Sequence, residues 1–433
     1  MAYAEGVLNR PNHPHYHPKV DDLDHSGVSE SRGPADVFRT GNLEISPGEV
    51  AASVATLGVD VLAPWGEAGP PPVGQWRPDV LGMPFESRTI PLSPDEEGEK
   101  VATLVRFPSG KTASPPSPHL RKRRGHQRSS INLPRRFIAL YIHGRNDYFF
   151  HEEVARQFTD MGAAFYALDL HKYGRSLRPW QTIGYTTDFS TYDQDFSGAL
   201  EIIREEHPDL PLVIVAHSTG GLIATLWASR HPDELAGLIL NSAWLGLHVP
   251  PALRPALQQV AARVSAIRPR TPLLGTSRTG VYSRSLTEGW KTSGFKIPEY
   301  FEHYPDDPAL TGWKCAPEWK WPYSYPAPAA WLVAILDGHS RIEKGVHLEC
   351  PVLAMSSTSS GVPELWARKV FDSDVILDAT LITRRATFLS NEVTIIRAAG
   401  KHDLFLSDPP VRTYLYATIR RWLEFAVFSA QGD

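Results

Sequence analysis

Cysteine is scarce in this chain: Cys315 and Cys350 are the two among 433 residues. That number excludes a disulfide framework and fits a reducing compartment. No apolar run approaches the length that spans a bilayer, so no stable membrane insertion is expected. Met1-Ala-Tyr-Ala-Glu-Gly carries neither the basic nor the apolar stretch of a secretory signal. Neither sign of charge dominates, since 44 Lys and Arg face 48 Asp and Glu for a net charge of −4. Such a balance gives no footprint for nucleic acid and no pull toward acidic substrates. No Gly-x-Gly-x-x-Gly or Gly-Lys-Ser/Thr cradle follows a strand, and no His/Cys/Asp cluster has zinc spacing. The expectation is a cytoplasmic protein with no cofactor and no metal.

What is present is ordinary for a globular protein: 42% hydrophobic and 21% charged residues. The length allows a large core in one elaborated domain or in two to three small ones. Residues 1–75 are rich in Pro, Gly, His, Asp and Ser and read as a partly irregular N-terminal extension. His13, His15 and His17 lie there in a short proline-interrupted tract, read as a solvated tail rather than a metal site. A short helix is expected over 47–62. From Trp76 the texture changes. Residues 85–92 and 100–107 read as two antiparallel strands around an acidic turn. Residues 108–135 form a Pro/Ser/basic loop whose Arg121-Lys-Arg-Arg124 is read as solvated charge.

A strand–helix alternation follows: strand 137–142, helix 150–161, strand 164–169, helix 190–206, strand 211–216, helix 220–230 and strand 235–241. It breaks over 245–345 into Pro-, Trp- and Tyr-rich sequence. It resumes with strand 351–355, helix 378–389, strand 393–397 and an amphipathic helix over 410–427. This rhythm predicts an α/β fold with a mostly parallel central sheet and helices on both faces. The core then comprises residues 76–245 and 346–433, and 246–345 is an inserted cap or lid.

The chemistry concentrates at Pro211-Leu-Val-Ile-Val-Ala-His-Ser-Thr-Gly-Gly-Leu222. A β-branched apolar run ends abruptly in a small-x-Ser-x-Gly turn, and a helical apolar pattern starts at once. Such an elbow lifts a serine hydroxyl out of a sheet on a strained turn. A plainer reading of the same residues makes Ser218 an N-cap. A serine nucleophile needs a base, an orienting acid and donors for the developing oxyanion, in the chain order Ser, acid, His. His402 follows the last strand in Gly400-Lys-His-Asp-Leu and is the candidate base. For the acid, Asp374 precedes a helix by four residues and is favoured over Asp372 and Asp378, with Asp378 suited to the helix N-cap. The oxyanion donors fall to the backbone N–H groups of Thr219 and of Arg145, the latter freed to turn by Gly144. The side chains of Arg145, Asn146 and Asp147 either order that loop or approach the substrate. Asp169 and Arg175 are read as a stabilising pair.

His143-Gly-Arg-Asn-Asp-Tyr-Phe-Phe150, Asp169-Leu-His-Lys-Tyr-Gly-Arg-Ser176, Ala216-His-Ser-Thr-Gly-Gly221 and Gly400-Lys-His-Asp-Leu together resemble an α/β-hydrolase. The likeness is to the monoacylglycerol lipase, lysophospholipase and serine aminopeptidase-like group, over roughly 76–245 and 346–428. It implies Ser218 as nucleophile, His402 as base, an aspartate at or near Asp374, and oxyanion donors at Arg145 and Thr219. Three features depart from the pattern: Ala216 in the elbow, no carboxylate directly after strand 351–355, and the N-terminal extension.

The aromatic insertion is expected partly to form its own core and partly to wall an apolar pocket. A serine hydrolase of carboxylic esters follows, with a lipid-like, aromatic or lactone substrate and an acyl-enzyme intermediate. A peptide or amide hydrolase and an inactive hydrolase-fold binding protein are the alternatives. The partner is a small-molecule ester, and a homodimer is left open.

Overall fold

The computed structural model describes residues 58–108 and 135–429, apart from positions 248, 250, 275 and 276. The histidine tract at 13–17, most of the helix expected at 47–62 and the basic run at 121–124 lie outside the described residues. Over 58–62 the chain is turn and irregular, and a 3-10 turn follows at Ala63–Ala68.

Strands that are apolar along their whole length can only sit where both faces are covered. The main sheet has nine strands: β1 (Arg77–Pro78), β2 (Glu86–Asp95), β3 (Gly98–Phe107), β4 (Phe137–Ile142), β5 (Ala163–Asp169), β6 (Leu212–His217), β7 (Gly237–Asn241), β10 (Val352–Ser357) and β11 (Val393–Ala398). β8 (Pro272–Leu274) and β9 (Ala327–Pro328) form a separate two-stranded ribbon. The spatial order is β1-β2-β3-β5-β4-β6-β7-β10-β11. The pairs from β1 to β5 are antiparallel, and every pair from β5 to β11 is parallel. Side chains alternate across the strands. Ile138, Leu140 and Ile142 therefore join one apolar cluster, and Phe137, Ala139 and Tyr141 join the other. In β6, Leu212, Ile214 and Ala216 face the first cluster while Val213 and Val215 face the second.

The expected helices are present with shifted ends: Glu152–Asp160, Asp193–Glu206, Ser218–Arg230, Ala379–Ala386 and Pro409–Trp422. The second is preceded by a 3-10 turn capped by Asp188, and the last runs on as a π-helical stretch, Leu423–Phe428. No helix among the described residues is long and apolar enough to cross a membrane. Between β7 and β10 the chain leaves the sheet and forms helices Arg254–Ile267, Val281–Thr287 and Ala329–Lys344. Its aromatics divide. Trp313, Trp319, Tyr325 and Trp331 join the main cluster, while Trp290 and Phe301 pack with Phe371 and Val375.

Register sets where a site can form. Ile142 pairs with Leu168 on one side and Ala216 on the other, and His217 pairs with Asn241. The loops after β4, β6 and β7 therefore leave from one end of the sheet, where parallel α/β sheets bind ligands. One fully buried cation braces this end. Arg175 reaches Asp169 Oδ2 at 2.9 Å and the two carboxylate oxygens of Asp79 at 2.7 and 2.8 Å, and donates to the Phe149 carbonyl. Burial alone would push the Asp79 pKa up, but the Arg175 guanidinium holds it below the usual carboxylate range. Removing one member of such a buried group strands the others uncompensated. Arg175→Ala is expected to cost about 3–5 kcal/mol in chemical denaturation of the full chain. Arg175→Lys should recover only part, because an ammonium cannot fork between two carboxylates.

Candidate active site

β6 ends at His217 and the helix Ser218–Arg230 begins on the next residue, with Ser218 at φ +51°. A left-handed non-glycine residue stores of order 1–3 kcal/mol and persists only where packing over-determines it. Here the packing is explicit: a Cβ on Gly220 would lie 2.2 Å from the His143 carbonyl oxygen, and one on Gly221 would lie 2.4 Å from Ala243 Cβ. Only glycine fits either place. Ser218 is thus the first residue of the helix on a strained elbow rather than its N-cap, and His217 stands at the cap position. Ala216 is fully buried, so its methyl is accommodated in the core.

Ser218 Oγ–H donates to His402 Nε2 at 3.0 Å, and His402 Nδ1–H donates to Asp374 Oδ2 at 2.8 Å. All three side chains are buried. Asp374 Oδ1 accepts the N–H groups of Ile376 and Leu377, at 2.8 and 2.7 Å, which leaves Oδ2 for the imidazole. The two rival carboxylates are engaged elsewhere. Asp378 caps the helix Ala379–Ala386 by accepting from Thr380 and Leu381 N–H, and Asp372 pairs with Arg368 and Lys369. The missing carboxylate after the strand has a geometric answer. The chain leaves β10, runs outward, and returns so that Asp374 N–H bonds the Ser359 carbonyl while Gly361 N–H bonds the Asp374 carbonyl. Asp374 stands beside the strand end despite its distance in sequence.

A cavity of about 350 Å³ opens over this array. Its lining includes Arg145, Thr219, Trp244, Tyr282, Tyr323 and Trp331, so both proposed oxyanion residues share it with Ser218 and His402. The loop after β4 lies against the elbow: a Cβ on Gly144 would press to 3.0 Å from both Ser218 Cβ and His217 Nδ1. Its three polar side chains hold the loop rather than the cavity floor. The Arg145 guanidinium bonds Ser324 Oγ and the Tyr325 carbonyl and lies over the rings of Tyr325 and Trp331. Asn146 exchanges two hydrogen bonds with the Trp321 backbone, at 2.9 and 3.0 Å. Asp147 Oδ1 accepts from Lys320 Nζ at 2.7 Å.

Sequence reasoning missed a second group directly beneath. Asp147, His217 and Asp403 bring one ligating atom each within 4.8 Å of one another, all buried. Spacing along the chain gave no sign of this, but two members are sequence neighbours of Ser218 and His402. Asp403 also accepts from His151 Nε2 at 2.8 Å and Asn241 Nδ2 at 2.7 Å. Although burial opposes it, Lys320 and the neighbouring histidines hold Asp147 well below the usual carboxylate range, and His217 and His151 do the same for Asp403. Two carboxylates and an imidazole are a possible donor set for a divalent cation. The Lys320 ammonium already occupies the charge-balancing position on one of them.

Residues 134–324 match the family described as Serine aminopeptidase, S33 (Hydrolase_4). The chain is 29% identical over 123 residues to a monoacylglycerol lipase of Mycolicibacterium smegmatis, covering 28% of this chain and 42% of that protein. It is 28% identical over 138 residues to a monoglyceride lipase of Homo sapiens, covering 32% and 44%. The chain has an α/β-hydrolase fold. Its sequence likeness is to the monoacylglycerol lipase-like group, and its matches span less than half the length of these curated relatives. Among solved structures, a soluble variant of monoglyceride lipase from Saccharomyces cerevisiae, in complex with a substrate analog, aligns at TM-score 0.49. That alignment has 16% identity and covers 83% of this chain and 96% of the other chain.

The assignment of Asp378 to a cap can be checked by stability alone. Asp378→Ala is expected to lower unfolding free energy by about 1 kcal/mol, the usual loss of an N-cap carboxylate. Asp378→Asn should recover most of it, as read by denaturant midpoints.

Proposed function

We propose that this α/β-hydrolase is a serine hydrolase of carboxylic esters. The observation that carries the reading is the chain of hydrogen bonds Ser218–His402–Asp374 opening into a mainly apolar cavity. Ser218 Oγ attacks the ester carbonyl while His402 Nε2 takes its proton. Asp374 fixes the Nδ1–H tautomer and offsets the charge of the imidazolium that forms. The backbone N–H groups of Thr219 and Arg145 receive the oxyanion. His402 then passes the proton to the leaving alcohol, and the acyl group stays on Ser218. Water, deprotonated by the same imidazole, releases the acid.

The segment 246–345 acts as a cap whose Trp331, Tyr282 and Tyr323 shape the cavity and keep water from the acyl-enzyme. Apolar walls and a volume of about 350 Å³ suit a short or medium acyl chain, an aromatic ester or a lactone. An aminopeptidase-like reading would need a carboxylate free to hold the substrate's amino terminus. Among the described lining residues Glu364 is the carboxylate, and it already accepts from Ser277 and Thr279. This favours esters over peptides.

A fluorophosphonate probe should label the folded protein and not Ser218→Ala, with equal labelling of both excluding the reading. His402→Ala is expected to lower kcat by roughly 10⁴–10⁶-fold. Asp374→Asn should lower it by about 10⁴-fold, the usual effect of a lost orienting acid. Asp372→Asn should leave it within a factor of about three, because Asp372 touches none of the array. In a series of p-nitrophenyl esters, kcat/KM should rise from acetate to butyrate or octanoate and fall again at palmitate. A series that peaks at acetate would remove the acyl-binding role of the cap.

A further inference from the structure

The side chain of Arg145 differs from the other charges around the cavity. Lys320 also lines it, and Asp147 Oδ1 matches that ammonium at 2.7 Å. Glu364 stands exposed at the rim and accepts from Ser277 and Thr279. Among the described residues no carboxylate lies within 4.0 Å of the Arg145 guanidinium. Its contacts are Ser324 Oγ at 3.2 Å, the Tyr325 carbonyl, and the rings of Tyr325 and Trp331 at 4.5 and 4.7 Å to their centroids. Nε is buried and has no acceptor. A guanidinium offers more N–H donors than two acceptors fill. Those acceptors sit on a fixed turn: Ser324 has a left-handed backbone at φ +62°, and its N–H donates to the Trp321 carbonyl at 3.0 Å.

Holding the loop does not call for charge. Asn146, the next residue, does it with a neutral amide through two hydrogen bonds to the Trp321 backbone. Two buried guanidiniums elsewhere are each matched by two carboxylates, Arg175 by Asp79 and Asp169, and Arg412 by Glu153 and Asp307. At Arg145 aromatic rings stand where carboxylates stand at those two sites. Rings steady a guanidinium and leave its charge unneutralised. We propose that Arg145 is a specificity-determining residue that receives an anionic group of the substrate, so that the preferred ester carries a carboxylate remote from the carbonyl that Ser218 attacks. This rests on the serine-hydrolase reading above. The apolar walls, Val281, Trp331 and Leu377 among them, take the linker between the two groups. The carboxylate meets the unfilled N–H donors in a place partly shielded from water, where a charge-assisted hydrogen bond is strong. One residue then has two tasks: its backbone N–H serves the oxyanion, and its side chain serves the remote charge.

Two measurements on the full chain test this. The first compares kcat/KM for esters matched in length. Mono-p-nitrophenyl adipate against p-nitrophenyl hexanoate places the anion on the acyl side. The butyrate esters of p-hydroxybenzoate and p-hydroxybenzamide place it on the alcohol side. In wild type one of the two anionic esters should exceed its neutral match by about 10- to 100-fold, the range of a hydrogen bond to a charged group. Arg145→Met should bring that ratio to about one, and Arg145→Lys should keep part of it. The ratio is taken within each protein, so any loosening of the oxyanion loop by the substitution divides out. Neutral esters cleaved with no anionic preference in either pair, or a preference that survives Arg145→Met, overturn the proposal and leave the hydrolase reading intact. The wild-type comparison decides even where Arg145→Met does not fold. The second measurement is calorimetric titration of Ser218→Ala with phenylbutyrate and with phenylbutyramide, which needs no hydrolysis. The carboxylate should bind more tightly than the amide by a factor of about ten or more, and lose that margin once Arg145→Met is added. Equal binding of the two overturns the proposal. So does a carboxylate held as tightly without the Arg145 side chain, because the oxyanion amides then bind it. A margin that depends on Arg145 in a protein that cleaves no ester sustains the anion site and removes the serine-hydrolase reading instead.

Discussion

The approach of the His143 carbonyl to Gly220 constrains everything around the site. The contact leaves no volume for a side chain at Gly220, and the Ile142 carbonyl closes the same space from behind at 2.9 Å. The elbow is wedged between the ends of β4 and β7, and Ser218 keeps its left-handed backbone because its neighbours cannot relax. The Ser218 carbonyl is pinned in turn by the Trp244 N–H at 2.9 Å. Once this wedge exists, the loop after β4 passes over the elbow, with Gly144 against Ser218 and His217. Gly144 is needed because the path is tight, and His143 stays on it because its Nε2 accepts the Leu170 N–H at 3.1 Å.

The insertion does more than cover this arrangement. Consecutive residues 145–148 each bond to the stretch 316–325: Arg145 to Ser324 and Tyr325, Asn146 to Trp321 and Tyr325, Asp147 to Lys320, and Tyr148 to the Ala316 N–H. Trp319 closes the contact edge-on against Tyr148, with ring centroids 5.1 Å apart. Displacing 316–325 would therefore pull on the loop that carries Arg145. The walls of the cavity and the geometry of its floor are mechanically one object, so a change in wall shape reaches the position of the Arg145 amide.

What the sequence made legible follows from how local each determinant is. The strands and helices of the core were readable because burial on both faces writes itself as continuous apolar runs. Ser218 and His402 were readable because an elbow and a post-strand loop are short-range features. Asp374 was one of three choices, because its place beside β10 depends on an outward excursion returning through the Ser359–Gly361 pairing, a tertiary fact. The helix start after Asp378 was the useful clue, since a carboxylate spent on capping is not free for an imidazole. The buried cluster was illegible for a different reason. Its members look like ordinary flanking polar residues, and the cation that makes Asp147 tolerable, Lys320, comes from a distant insertion with no recognisable motif.

Buried charge recurs across this end of the sheet. Arg175 sits between Asp79 and Asp169, and Arg412 between Glu153 and Asp307. Desolvation makes such groups poor sources of net stability, and well-packed apolar residues of the same volume would often serve as well. Their value lies in geometry. An apolar contact tolerates a slide of an ångström, whereas a guanidinium forked onto two carboxylates does not. Loops cannot rely on the repeating hydrogen bonds that align strands, yet here Arg145, Asp374 and His402 lie outside helix and strand, while Ser218 and Thr219 open a helix. Fixing them by charge places the rigidity where the backbone pattern ends.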